Sequence, residues 1–279
     1  MKSGAPNGAK PSRNFSDLRV RTLAALVMGA AATGAVALGG WFAAALAAAI
    51  AAGMGWELRR MTVGRFDGAG WAMALAGAAA SLATQGAFFR AGLLATVLCL
   101  AAAAWMTRAE PGWIRRVVVF GGAYVAIACA GLVGLRDDPL YGWEAVLWVA
   151  LTVVATDVGA YFAGRLIGGP KLWPRVSPSK TWAGLGGGMA AAMLTGAVFS
   201  SATTGTLVHE VALVSGLMAV VAQGGDLLES SLKRRCGVKD SSNLIPGHGG
   251  LLDRMDGLMA AALVAAILTF LRGKSVFIW

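Results

Sequence analysis

Charged positions divide this chain into long apolar stretches joined by short polar ones. Residues 23–56 hold no charged side chain, and as one helix those 34 residues would run about 51 Å at 1.5 Å per residue, well beyond a hydrocarbon core of about 30 Å. The stretch must therefore fold back, and Gly39 with Gly40 marks the place. Further charge-poor stretches fall at about 69–89, 91–106, 117–135, 145–164, 185–205, 211–225 and 257–271. The pattern predicts an all-α polytopic membrane protein with about nine transmembrane helices. The stretches 91–106, 211–225 and 257–271 are short and need flanking residues to reach across.

Composition agrees with this pattern. Of 279 residues, 57% are hydrophobic and only 14% charged, against about 25% charged in soluble domains. Orientation follows from the basic residues, which concentrate on the cytoplasmic side. With the N-terminus inside, twenty of the 24 Lys and Arg face the cytoplasm, and only Arg90, Arg136, Arg272 and Lys274 lie outside. The formal charge of +10 then reads as topology plus attraction to anionic headgroups, not as a nucleic-acid footprint. A cleaved leader is not expected, because the first apolar stretch far exceeds a signal core of about 7–15 residues. Residues 1–22, with Gly, Pro, Ser and Lys, read as a disordered cytoplasmic tail. Cys99, Cys129 and Cys236 show no metal-binding spacing and read as core residues.

Residues 23–140, with about five helices, carry ordinary flanking charges and read as a scaffold. From Asp157 onward polar groups enter the spans, so residues 141–279, about four helices and two cytoplasmic loops near 165–184 and 226–256, read as the catalytic region. The G-L-G-G-G run at 184–188 follows no strand and reads as close helix packing, not a nucleotide loop.

The segment 226–256 gathers Asp226, Glu229, Asp240, Asp253 and Asp256 with Lys233, Arg234, Arg235, Lys239, Arg254, His248 and the Gly249-Gly250 pair. Carboxylates bind a divalent cation, cations bind phosphate oxygens, and bare glycine backbone lets a charged ligand approach. Asp253 and Asp256 are three apart, one helical face, and Asp226 meets them if its helix packs alongside, a plausible Mg²⁺ site. Asp253 taken alone could equally cap the start of its helix, whereas three Asp converging on one membrane surface favour the cation site.

Asp157 would cost about 2.5–3.5 kcal/mol near the bilayer centre, which implies a role. Its run D-V-G-A-Y-F-A-G-R puts Tyr161 on the same stripe, with Arg165 at the exit. The next loop, G-G-P-K-L-W-P-R-V-S-P-S-K-T-W-A-G, offers Ser177, Lys180 and Thr181 to a phosphate or headgroup. His248, in P-G-H-G-G, could bind phosphate or move a proton.

The run Ser230, Leu232, Lys233, Arg234, Lys239, Asp240, Ser242, Ile245, Pro246, His248, Gly249, Gly250, Leu251, Asp253, Arg254, Asp256 resembles the diagnostic motif of the phosphatidate cytidylyltransferases, or CDP-diglyceride synthases. The D-x-G-A-Y-x-x-G-R and S-P-S-K-T-W elements resemble the same family's upstream motif, although Ala183 stands where the family often has Glu. The resemblance is strong over residues 140–272 and rests on topology alone before them.

It implies a Mg²⁺-dependent reaction of CTP with phosphatidic acid that gives CDP-diacylglycerol and pyrophosphate, at a bacterial inner membrane. It further implies Asp226, Asp253 and Asp256 as metal ligands, a second cation such as K⁺, and a homodimer. Lys233, Arg234, Lys239 and His248 are expected at the triphosphate or leaving pyrophosphate, and Ser177, Lys180 and Thr181 at the nucleotide or lipid phosphate. Asp157, Tyr161, Arg165, Asp240, Gly249, Gly250 and Arg254 are expected at bound substrate. Two rivals remain. A CDP-alcohol phosphatidyltransferase needs a D-G-x-x-A-R element, which is absent, and an ion-coupled transporter would use Asp157 and Asp226.

Overall fold

The computed structural model describes residues 15–278. Its helices are α1 (Phe15–Leu38), α2 (Gly40–Val63), α3 (Gly68–Ala83), α4 (Phe89–Met106), α5 (Gly112–Arg136), α6 (Gly142–Leu166), α7 (Trp182–Thr203), α8 (Val208–Arg235) and α9 (Leu252–Arg272). Among the described residues eight helices are long and apolar enough to cross a membrane, and α3 is a shorter apolar one. The fold is that of an all-α polytopic membrane protein, with one small hairpin, β1 (Lys171–Trp173) against β2 (Ser177–Thr181).

The predicted fold-back is present: Gly39 and Gly40 both take positive φ, 64° and 48°, where a side chain would strain the turn. Arg136 closes this end by donating to the carbonyls of Val36 and, at 3.1 Å, Ala37. Those carbonyls belong to the last turn of α1, which has no helical partners of its own.

The helices overshoot the charge-free stretches. α1 starts at Phe15, so residues 15–22 of the expected disordered tail are helical, while residues 1–14 lie outside the described residues. Likewise α8 continues through Asp226 to Arg235, and the loop expected over 226–256 shrinks to 236–251. Charge marks where a helix leaves hydrocarbon, not where its hydrogen-bond ladder ends.

Close helix contacts use small residues. α6 and α7 pack most extensively, and a Cβ at Gly187 would come within 3.0 Å of the Gly159 carbonyl, so the glycine run serves packing. The large buried side chains cluster elsewhere: Trp148 is fully buried and donates its indole N–H to Ser215 Oγ at 2.9 Å, with Phe277 edge-on to its ring.

Loop contacts sort to two ends. At one end Gln85 reaches Asp137 (2.6 Å) and Thr206 reaches the Phe277 carbonyl (3.5 Å). At the other, Arg59 on α2 joins Asp67 and Glu110, and α6, β2, α8 and α9 bring most of the predicted site residues. In the Arg59 cluster, Nε and Nη2 bind the two Asp67 oxygens at 2.8 and 2.6 Å, Nη1 binds Glu110 Oε2 at 2.7 Å, and Nη2 also binds Glu110 Oε1. The hydrogen bond from Arg59 holds the Asp67 carboxyl below its ordinary range.

Candidate active site

A polar cavity of about 290 Å³ opens between α6, β2, α8 and α9. Helical spacing on α8 sets one wall: Gln223, Asp226, Glu229 and Lys233 follow at intervals of three or four and face the cavity together. α9 supplies Asp253, Arg254 and Asp256, α6 supplies Asp157, and β2 supplies Lys180. The close crossing of α8 and α9 comes from Gly225, where a Cβ would sit 2.9 Å from the Asp256 carbonyl and 2.8 Å from Ala260 Cβ.

Asp226, Glu229 and Asp256 each offer an oxygen within 4.8 Å of the others. Among the described residues this trio is the set of carboxylates close enough to share a cation; it includes Asp226 and Asp256 of the expected ligands, adds Glu229, and does not include Asp253. Asp253 is instead saturated. Its Oδ2 accepts from Ser241 N (3.0 Å) and Gly250 N (2.8 Å), with Ser241 Oγ 3.1 Å away, and its Oδ1 accepts from Lys233 Nζ at 2.7 Å. The same ammonium lies 2.9 Å from Glu229 Oε2, at an angle that leaves both buried Glu229 oxygens without an aligned hydrogen-bond donor. Glu229 could have been read from the sequence, since it lies one turn from Asp226 and one turn from Lys233.

Lys180 Nζ lies 2.5 Å from Asp226 Oδ2 and 3.4 Å from the Gln223 carbonyl. The hairpin thus fixes one cation against the carboxylates, and the S-P-S-K run serves to deliver it. Its neighbour Thr181 differs from expectation: it is buried, and its Oγ1 accepts from Gly184 N at 3.0 Å to cap α7. Ser177 stays on the hairpin surface, 3.5 Å from Ser179 Oγ.

Other expected residues lie outside the cavity wall. Tyr161 and Arg165 pair with each other through a 2.7 Å hydrogen bond on the outer part of α6. Arg234, Lys239 and Asp240 are exposed. His248 uses its carbonyl to accept from Arg254 Nε (2.9 Å) and Nη2 (2.8 Å), which orients a guanidinium that does line the cavity. Gly249 takes φ 85° in the tight turn closed by Ile245 N and the Gly249 carbonyl (2.9 Å). Gly250 is buried, and a Cβ there would lie 2.7 Å from Glu57 Oε1, so its bareness makes room for protein rather than ligand.

A second, larger cavity of about 820 Å³ lies on the other side of the same carboxylates. Its walls are mostly apolar, with Met54, Leu58, Phe120, Val125 and Leu228, and Arg116 and Arg235 line it too. The wall from α5 includes the π-helical turn Val117–Gly121. Glu229 and Asp256 line both cavities.

Known proteins are similar to this chain in sequence. The family model described as the cytidylyltransferase family matches residues 19–271. A phosphatidate cytidylyltransferase of Brucella suis biovar 1 (strain 1330) is 36% identical over 253 residues, 89% of this chain and 92% of that protein. One from Haemophilus influenzae is 45% identical over 142 residues, 47% of this chain and 49% of that protein. One from Bacillus subtilis is 35% identical over 143 residues, 51% of this chain and 53% of that protein.

Proposed function

Because the chain belongs to the cytidylyltransferase family, we propose that this membrane nucleotidyltransferase joins CTP and phosphatidic acid into CDP-diacylglycerol and pyrophosphate. The observation that carries the reading is the meeting of two unlike cavities at Glu229 and Asp256. One is polar and rich in charge, as a triphosphate requires. The other is apolar with two arginines, as a lipid with an anionic head requires.

The donor set fits a divalent cation, taken as Mg²⁺: three carboxylates converge, and the buried Glu229 oxygens lack aligned donors. Asp226, Glu229 and Asp256 would hold it, and when bound it would neutralise phosphate oxygens and polarise the phosphorus under attack. The phosphatidate oxygen is already an anionic nucleophile, so the chain needs no strong base; positioning and charge dominate. A lipid phosphate oxygen forms a bond to the α-phosphorus of CTP, the bond from that phosphorus to the bridging oxygen breaks, and pyrophosphate leaves with the electron pair.

Lys180 stands where it can bind a CTP phosphate without leaving Asp226, and Arg254 can bind the departing pyrophosphate. Lys233, between Glu229 and Asp253, keeps the carboxylate wall aligned. Arg116 and Arg235 suit the lipid phosphate, and Arg235 is braced over the Trp113 ring at 4.6 Å. The distribution of basic residues supports a bacterial inner-membrane enzyme with the N-terminus and the site on the cytoplasmic side, where CTP is made.

The test is purified protein in detergent with phosphatidic acid, Mg²⁺ and CTP labelled at the α-phosphate. Label should enter the lipid with one pyrophosphate released per turnover, and chelation should stop both. Detergent solution carries no ion gradient, so turnover there also separates an enzyme from a coupled transporter. Failure of label to reach lipid at millimolar CTP overturns the reading.

A further inference from the structure

The helix that carries Asp253 and Asp256 begins without a local cap. Leu251 holds the N-cap position of α9, and its side chain cannot accept a hydrogen bond. The N–H groups of Leu251 and Leu252 have no helical carbonyl to bind, and both lie in an apolar part of the core beside Met54 and Leu58. Their partner comes from the N-terminal half. Glu57 on α2, 0% exposed, accepts from Leu251 N through Oε1 and from Leu252 N through Oε2, both at 2.7 Å.

Each Glu57 oxygen takes a serine hydroxyl as well: Ser242 Oγ at 2.5 Å on Oε1 and Ser241 Oγ at 3.0 Å on Oε2. Ser241 Oγ is also 3.1 Å from Asp253 Oδ2. The contact path therefore continues from Glu57 through Ser241 to Asp253, then Lys233 (2.7 Å), then Glu229 (2.9 Å) in the carboxylate trio. Gly250 leaves the space that this carboxylate fills.

We propose that Glu57 is a positioning residue for the reaction: it caps α9 from the opposite half of the chain and thereby sets the loop 241–252 and the carboxylates against one another. It touches neither cavity and acts through Asp253 and Lys233. The metal part of this rests on the reading of the trio as a cation site; the capping part does not.

Glu57→Gln is the decisive substitution because it keeps size and shape. Each carboxylate oxygen serves one backbone N–H and one hydroxyl, so either orientation of the amide turns an NH₂ group onto a backbone N–H. Wild type, Glu57→Gln, Glu57→Asp and Met61→Ala, purified alike, would be compared by Mn²⁺ titration with electron paramagnetic resonance and by hydrogen exchange of peptides over 236–256. Met61→Ala thins the same apolar cluster and removes no hydrogen bond to the loop.

Expected for Glu57→Gln is a Mn²⁺ midpoint raised at least fivefold, faster exchange confined to 241–252, and kcat at least tenfold lower with the KM for CTP within threefold. Glu57→Asp should recover part of each. Met61→Ala should lower the melting temperature with the Mn²⁺ midpoint within twofold of wild type. A Glu57→Gln protein whose Mn²⁺ midpoint and loop exchange both stay within twofold of wild type overturns the proposal. Should that variant fail to fold, Ser242→Ala removes one of the four donors, and its exchange over 241–252 must rise or the proposal falls. Mn²⁺ binding and exchange need no turnover, so they decide this point even if the wild type makes no CDP-lipid.

Discussion

Two acidic clusters sit at the same end of this protein, and they differ in balance. In the first, the Arg59 guanidinium, 1% exposed, engages both oxygens of Asp67 and both of Glu110. Every acceptor there meets a donor. In the second, Asp157, Asp226, Glu229, Asp253 and Asp256 face Lys180 and Lys233, while Arg254 is turned onto a backbone carbonyl. Asp253 is satisfied, but the trio of Asp226, Glu229 and Asp256 keeps an excess of negative charge at close range. A structural ion cluster closes its account internally; a site is left open for something that arrives from solution.

The largest effect that would sharpen this contrast is at the trio. Asp256→Asn should lower kcat at least about 10³-fold, because several kcal/mol of charge stabilisation depend on a correctly held cation. Its melting temperature should hold or rise as like-charge repulsion is relieved. Turnover within tenfold of wild type, measured with labelled CTP, would break the comparison. At the other cluster the pattern should invert. Arg59→Met strands two carboxylates and should destabilise by about 3–5 kcal/mol in denaturant unfolding, while the kcat of the folded fraction stays near wild type.

Lys180→Met removes a cation from the open site. Turnover should fall about tenfold, yet Mn²⁺ should bind a few-fold more tightly, because Asp226 loses its competitor. Unchanged or weaker Mn²⁺ binding would show that the ammonium does not compete there.

The smallest effect is in pH. The folded Asp67 carboxyl is held below its ordinary value of 3.8, so its contribution to stability is complete above that value and fades as pH falls toward the lowered one. Melting scans from pH 6 to pH 3 should show a loss at the acid end that Asp67→Asn lacks.

Much of this was legible in the sequence, for physical reasons that also set the limit. Bilayer thickness forces apolar segments of a certain length, so each predicted stretch has its helix and the turn at Gly39 and Gly40 was placed correctly. Helical spacing brought out Asp226 and Asp256. Spacing could not say which of Asp253 and Asp256 lies within reach of both Asp226 and Glu229, because the rotation of α9 is fixed by packing at Gly225 and by the donors around Asp253. Thr181 looked like a phosphate ligand because a hydroxyl beside a lysine serves equally well as a helix cap. Glu57 looked like an ordinary charge at a membrane edge. Its meaning depends on residues 241–252, far along the chain, which local pattern does not reach.

The meeting of α8 and α9 at Gly225 has one more consequence. Main chain rests on main chain there, so a hydrogen atom in place of a methyl group sets how far apart Asp226 and Asp256 stand. The gauge of the proposed cation site is thus built into the backbone, and side-chain flexibility cannot widen it cheaply. Mg²⁺ prefers oxygens at about 2.0–2.1 Å and Ca²⁺ at about 2.3–2.6 Å. Prying the helices apart with Gly225→Ala would hand the advantage to the larger ion, visible as Ca²⁺ inhibition at lower concentration than in the parent enzyme.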